Sequence, residues 1–211
     1  MTRIMIITGG TLGDWALEEI RADDILVGSD RGALFLIQNG HLPHISMGDF
    51  DSVSAEELAL IRASSKEFID CDPIYKDLTD TEMAFNWALD QKPSQVLLVG
   101  ALGTRFDHSL ANVHLLRKGI RHGIPCAIMD ANNLIMVIDR STRIQKGPYT
   151  HASLLPLSLE VTGITLHGFQ YPLHQATLEI GMSLGISNIL LEPEGLIELS
   201  SGLLLVVQSK D

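Results

Sequence analysis

Residues 95–130 read QVLLVGALGTRFDHSLANVHLLRKGIRHGIPCAIMD, and this stretch decides the fold. The run 95–100 is short, apolar and unbroken, as a strand covered on both faces must be. A loop holding Gly100 and Gly103 follows, and then Leu110, Val113, Leu116 and Ile120 recur at helical spacing. The run 125–130 is a second apolar strand. Strand, helix and strand in this order form a parallel crossover unit, because parallel neighbours need a long connection between them.

Outward from this unit the same rhythm continues. Apolar runs at 3–8, 24–29, 44–48 and 67–71 alternate with segments carrying helix signals. Ser54-Ala55-Glu56-Glu57 and Thr79-Asp80-Thr81-Glu82 match the capping box, in which hydroxyl and Glu satisfy each other's orphan backbone donors. After Thr79, the residues Met83, Ala84, Trp87 and Ala88 mark one helix face. The pattern predicts an α/β domain over 1–132 with a parallel, doubly wound (Rossmann-like) sheet. Beyond residue 133 the helical period ends. Short runs at 152–155, 159–166, 175–180, 185–191, 195–199 and 202–208, parted by turn residues, predict an all-β sandwich over 133–211. The polar stretch from Arg140 to Tyr149, with Gly147-Pro148, reads as a boundary zone.

The 211 residues are 45 % hydrophobic and carry 15 Lys+Arg against 26 Asp+Glu, a net charge of −11. That composition builds a core and excludes disorder and fibrous repeats. The negative charge opposes nucleic acid and anionic membrane surfaces and favours cations. No apolar run approaches the roughly 20 residues of a spanning helix. Met1-Thr2-Arg3 leads straight into a core strand rather than a signal peptide, so a cytoplasmic location is expected. Cys71 and Cys126, far apart in apolar runs, read as buried thiols. The eight His residues show no zinc-ligand spacing.

In an open parallel sheet, ligands bind beyond the carboxyl ends of the strands. Here those ends carry Gly9-Gly10, Ser29-Asp30, Gly48-Asp49-Phe50-Asp51-Ser52, Asp70 with Asp72, and Gly100 to His108. An extended Asp49-Phe50-Asp51 would point both carboxylates to one side, where a divalent cation bridges carboxylates to phosphates. Lys76-Asp77-Leu78-Thr79-Asp80 opens a helix, whose amino end attracts anions. Arg105 on a glycine-bearing loop offers a bidentate grip on phosphate. Each segment has a structural alternative: a turn at Asp49, a helix-dipole partner at Asp80, a cap at Asp107. The P-loop, the G-x-G-x-x-G fingerprint and the G-x-S-x-G elbow are all missing.

Together these residues resemble the thiamin pyrophosphokinase (thiamin diphosphokinase) family along nearly the whole chain. Asp30 with Gly32-Ala33, the Gly48 to Ser52 segment, Lys76 to Asp80, and Gly100 to His108 with Asn112 are similar to its catalytic motifs. Leu155 to Ser158, Gly168 to Leu173 and Gly185 to Asn188 are similar to its β-domain motifs. The resemblance implies transfer of a pyrophosphoryl group from ATP to thiamin, releasing AMP, by a homodimer with active sites between subunits. It implies Mg²⁺ on Asp49, Asp51 and Asp80, with Asp77, Arg105 and Asp107 completing the catalytic set. Asp30, Lys76, Thr79, His108, Asn112, Ser187 and Asn188 become the substrate contacts. Arg31 and Thr104 depart from the family pattern, each replacing a glycine. A metal-dependent phosphohydrolase and a non-catalytic ligand-binding module are the competing readings. The first is disfavoured because Gly9-Gly10 stands where such an enzyme places its nucleophilic Asp.

Overall fold

Each apolar run of the first 130 residues forms a strand in the computed structural model, which describes residues 2–70 and 77–211. Cys71, Asp72 and Lys76 therefore lie outside the described residues. The strands are β1 (Arg3–Ile7), β2 (Ile25–Ser29), β3 (Ile45–Gly48), β4 (Glu67–Asp70), β5 (Gln95–Val99) and β6 (Cys126–Met129). They pair in parallel in the order β4-β3-β2-β1-β5-β6. Every residue of β1 is buried, as a central parallel strand requires. The helices are α1 (Asp14–Glu18), α2 (Arg31–Gln38), α3 (Ala55–Ser64), α4 (Asp80–Asp90) and α5 (Phe106–His122). The chain walks outward from β1 to β4, then returns through α4 to lay β5 against the other side of β1. That reversal opens a crevice beyond the carboxyl ends of β1 and β5.

The capping boxes divide. Ser54 and Glu57 make both reciprocal bonds at α3. At α4 the Thr79 hydroxyl accepts from the Glu82 N–H, but the Glu82 carboxylate takes Lys118 Nζ of α5 at 2.6 Å instead of returning to the cap. An ion pair outcompetes a neutral backbone donor here and ties α4 to α5. On α5 the buried face runs through Asn112, Leu115, Leu116 and Gly119, while Leu110 is exposed. The expected stripe is thus offset, because Asn112 turns inward to a polar partner.

The chain divides into two units, Met1–Ala131 and Asn132–Asp211. In the second, β7 (Asn133–Ile138), β13 (Leu204–Ser209) and β9 (His151–Pro156) pair antiparallel with β13 in the middle. β10 (Glu160–His167) and β12 (Glu194–Glu198) are the inner strands of a separate antiparallel sheet, flanked by β11 (Ala176–Glu179) and β8 (Thr142–Gln145). Ile138, Leu154 and Val206 from one sheet and Val161, Ile164 and Ile197 from the other form a single apolar core. Two expectations change. The stretch Arg140 to Tyr149, read as a boundary, contains β8, whose one buried residue is Ile144. The run 185–191 is not a strand: it touches its neighbours only through isolated bridges, Ala152 with Asn188 and Phe169 with Leu190. Ser187 sits at φ 57, which breaks an extended backbone. Among the described residues no helix is long and apolar enough to cross a membrane.

Candidate active site

The crevice is a cleft of about 300 Å³. Its floor is the loop after β1 (Thr8 to Gly10) and the loop after β5 (Gly100 to Arg105), with Asp30 at the tip of β2 and Thr79 to Thr81 at the start of α4 on its wall. Gly10 donates to the Gly100 carbonyl and Thr11 to that of Leu102, so the two loops are stitched together. A Cβ on Gly10 would overlap both carbonyl oxygens. Only glycine lets the loops come this close.

Three carboxylates converge at the cleft. One oxygen each of Asp30, Asp49 and Asp80 lies within 4.8 Å of the others. They come from the tips of β2 and β3 and the first residue of α4. Asp30 caps α2 at φ 48 without using its side chain on that helix. Its Oδ1 instead accepts the Phe50 N–H at 3.1 Å. Gly48, at φ 150, makes room for this carboxylate, since a Cβ there would overlap Asp30 Oδ1. Burial, then the adjacent Asp80 carboxylate, pushes the Asp30 carboxyl from 3.8 up to about 7, with the Phe50 N–H opposing and Asp49 adding to the rise. The Asp30 carboxyl thus takes up a proton far more readily than an ordinary aspartate. Three hard oxygens at this spacing suit a divalent cation such as Mg²⁺.

The expected extended Asp49-Phe50-Asp51 is corrected by the backbone. Phe50 has φ 54, and its ring is buried among Ala33, Leu34 and Ile61. The turn brings Asp49 to Asp30 and Asp80, while Asp51 is exposed and outside the trio, its N–H on Asp49 Oδ1 at 3.2 Å. Burial of one aromatic ring overrides the alternation of a strand. Asp77 is likewise exposed and outside the trio, and Lys76 lies outside the described residues.

At the opposite rim Arg105 is held by Asp107, Nε to Oδ1 at 3.2 Å and Nη2 to Oδ2 at 2.6 Å. The hydrogen bonds from Arg105 keep the Asp107 carboxyl below its ordinary range. Arg105 is the N-cap of α5 and gives it no side-chain cap, so Asp107, expected as a possible cap, is instead the arginine's partner. Ser109 Oγ holds Gly103 N–H and lies on the carbonyls of Gly103 and Arg105, shaping the loop. Asn112, buried, donates to the Ala101 carbonyl at 2.7 Å and pins the same loop from below. Thr79 and His108 line the cleft. Ser29 and Leu102, at strand ends already marked by the sequence, line it too, as does Thr81 of the helix-start motif; Thr8, which directly follows β1, joins them without a sequence motif of its own.

In the second unit, Asn188 is buried and committed to the protein itself. Its Oδ1 accepts from the N–H of Tyr171 and of Ile189, at 3.0 and 2.8 Å, and its Nδ2 donates to the Tyr171 carbonyl at 2.7 Å. These three bonds let one side chain hold the local turn. Ser187 is exposed, with its N–H on Ser153 Oγ.

Comparison with known proteins agrees with both units. Residues 17–128 match the family description "Thiamin pyrophosphokinase, catalytic domain", and residues 140–204 match "Thiamin pyrophosphokinase, vitamin B1 binding domain". The chain is 32 % identical over 187 residues to the thiamine pyrophosphokinase of Bacillus subtilis, covering 88 % of this chain and 87 % of that protein. The crystal structure of the Bacillus subtilis enzyme superposes with a TM-score of 0.90 at 30 % identity over 99 % of each chain. That of the Geobacillus thermodenitrificans protein does so at 0.89 and 32 % identity, covering 100 % of this chain and 98 % of that one. With matched segments spanning most of its length, the chain belongs to the thiamin pyrophosphokinase family.

Proposed function

We infer that the chain transfers the pyrophosphoryl group of ATP to the hydroxyl of thiamin, giving thiamin diphosphate and AMP. The observation that carries this reading is the convergence of Asp30, Asp49 and Asp80 beside a cleft whose other rim bears Arg105, in a chain matched by both family domains. The order β4-β3-β2-β1-β5-β6 supports the doubly wound, Rossmann-like description, because such sheets bind nucleotides where the order reverses.

Asp30, Asp49 and Asp80 would hold Mg²⁺, which supplies charge neutralisation of the triphosphate when bound. This set exchanges Asp51 for Asp30 relative to the sequence expectation. Asp51 and Asp77 stay in the proposed machinery as exposed carboxylates that act once nucleotide is bound. Arg105, oriented by Asp107, stabilises charge developing on the transferred group. Arg105 does not cap the first turn of α5, so the Phe106 and Asp107 N–H groups would serve phosphate oxygens while the His108 N–H is held by the Asp107 carboxylate, and the tight Gly9-Gly10 turn would let the phosphates sit against the sheet edge. His108 and Thr79 contact nucleotide from the walls, with Lys76 assigned to the same anion. Asn112 acts by holding the loop. In the second unit Ser187 is the thiamin contact, and Asn188 fixes the turn that presents it. A homodimer with active sites at the subunit interface, in the cytoplasm, completes the reading.

The test is incubation of purified protein with ATP, Mg²⁺ and thiamin, followed by chromatography. Thiamin diphosphate and AMP are expected in equal amounts, and light scattering should give twice the chain mass. ADP with thiamin monophosphate would refute the transfer. Inorganic phosphate released without an acceptor would favour a phosphohydrolase, and binding without AMP a ligand-binding module.

A further inference from the structure

The turn that creates the carboxylate trio is held from outside the cleft. Phe50 adopts a left-handed backbone, φ 54, that bulky side chains rarely accept. Such a conformation persists only where its surroundings fix it. Here the Phe50 ring stacks on Phe68 of β4, with centroids 4.9 Å apart and planes 18° from parallel. The Arg62 guanidinium lies over the Phe68 ring at 4.6 Å and reaches Asp70 Oδ2 at 3.2 Å. Phe68 is also locked by register: β4 pairs with β3 so that Phe68 faces Ser46 and Asp70 faces Gly48, at the point where the turn begins. On the cleft side, the Phe50 N–H is the donor to Asp30 Oδ1, and Asp49 is the residue before it.

A ring displacement at Phe50 therefore reaches two of the three carboxylates at once. It shifts the backbone donor that holds Asp30, and it rotates the peptide that carries Asp49. Neither Phe68 nor Arg62 lines the cleft. We propose that Phe68, covered by Arg62, is a positioning residue: acting through the Phe50 ring, it sets the spacing of Asp30 and Asp49 and hence the affinity of the trio for a divalent cation. This rests on the metal-binding reading given above.

The experiment uses the full chain and Mn²⁺, titrated by electron paramagnetic resonance with and without ATP. Phe68→Leu keeps an apolar side chain and removes the ring. It should weaken Mn²⁺ binding about three- to tenfold, the factor that loss of one aromatic stacking contact produces. Phe68→Tyr keeps the ring and should bind within about twofold of the parent. In kinetics, Phe68→Leu should lower kcat at limiting Mg²⁺ while KM for thiamin stays unchanged. Ile128→Val, a buried change in β6 that costs about the same stability, should leave Mn²⁺ binding intact. In a Phe50→Leu background, Phe68→Leu should have no further effect, because the path between ring and carboxylates is already cut.

Unchanged Mn²⁺ binding in Phe68→Leu overturns the proposal, as does an equal loss in Ile128→Val or an undiminished effect in the Phe50→Leu background. Should Phe68→Leu fail to fold, the comparison is read on Arg62→Gln, an exposed change expected to weaken Mn²⁺ binding about twofold. Unaltered binding there overturns it equally. A parent that binds no Mn²⁺ with or without ATP refutes the metal reading itself, whereas a binding parent with an indifferent Phe68→Leu refutes only the positioning.

Discussion

The carboxylate trio makes a prediction whose sign runs against the usual behaviour of aspartates. Most native carboxylates titrate below their unfolded value, so stability grows as pH rises past about 4. Asp30 does the opposite, its carboxyl being raised from 3.8 to about 7 by burial and by Asp80. Between these values the folded protein holds a proton that the unfolded chain has lost. The contribution of Asp30 is therefore fully present below about pH 4 and disappears as pH rises to about 7. A three-unit shift corresponds to about 4 kcal/mol at 1.36 kcal/mol per unit. Asp30 is only half-buried, and solvent screening reduces this to about 2 kcal/mol. Asp30→Asn removes the titration, keeps the shape, and leaves an acceptor for the Phe50 N–H. Unfolding by urea in EDTA from pH 4.5 to 8 measures both proteins, and their difference cancels the other titrating groups. The Asn variant should match the parent at low pH and exceed it by about 2 kcal/mol at pH 8. A difference that stays flat, or grows toward acid, refutes the raised Asp30 carboxyl. The same proton competes with metal, so Mg²⁺ affinity of the parent should fall by up to about tenfold per pH unit below 7. Affinity independent of pH from 5.5 to 7 would refute the link between the trio and the cation.

Three further substitutions probe the site. Gly48→Ala puts a Cβ into the space of Asp30 Oδ1 at a backbone angle alanine resists, and a carboxylate moved by about 1 Å should cost about 100-fold in kcat/KM, checked by steady-state kinetics. Asp107→Asn releases the bidentate hold on exposed Arg105; thermal unfolding should be unchanged, as for other surface pairs, while kcat/KM for ATP falls about tenfold, and unchanged kinetics would return the pair to a surface role. Asn188→Ala leaves the Tyr171 and Ile189 N–H groups without their acceptor, and urea unfolding of the second unit should show a loss of about 2–3 kcal/mol, with KM for thiamin rising if Ser187 is its contact.

The central parallel strands were legible because burial on both faces leaves a mostly apolar run, and β1 to β6 lie within a residue or two of the expected runs; the edge strand β4, exposed at Glu67 and Asp70, was marked only by Phe68-Ile69 and its place in the alternation. Half-polar edges are less readable. β8 (Thr142–Gln145) buries only Ile144, so its alternation carries a single apolar point. The reverse error at 185–191 has the same origin, since Ile186, Ile189, Leu190 and Leu191 supply strand-like composition. Ser187 at φ 57 and the three hydrogen bonds of Asn188 fold that segment into turns. Apolar content signals burial; it does not specify the backbone that delivers it.

The trio illustrates the same limit at the level of chemistry. Spacing alone pairs Asp49 with Asp51, because two residues apart in a strand means one face. That inference assumes an extended middle residue, whereas Phe50 turns at φ 54 and buries its ring with Ala33, Leu34 and Ile61. Burying a ring such as that of Phe50 is worth about 2–3 kcal/mol, more than the about 1–2 kcal/mol that a left-handed residue costs. The backbone therefore turns, Asp51 swings outward, and the vacancy beside Asp49 is filled from another strand by Asp30. Gly48 is what permits the exchange, since any side chain there would occupy the space that the Asp30 carboxylate takes. The signal was present in the sequence as a glycine before the first aspartate and an aromatic between the two. Its meaning depends on which strand lies next to β3, and that is a property of the sheet order, not of local spacing.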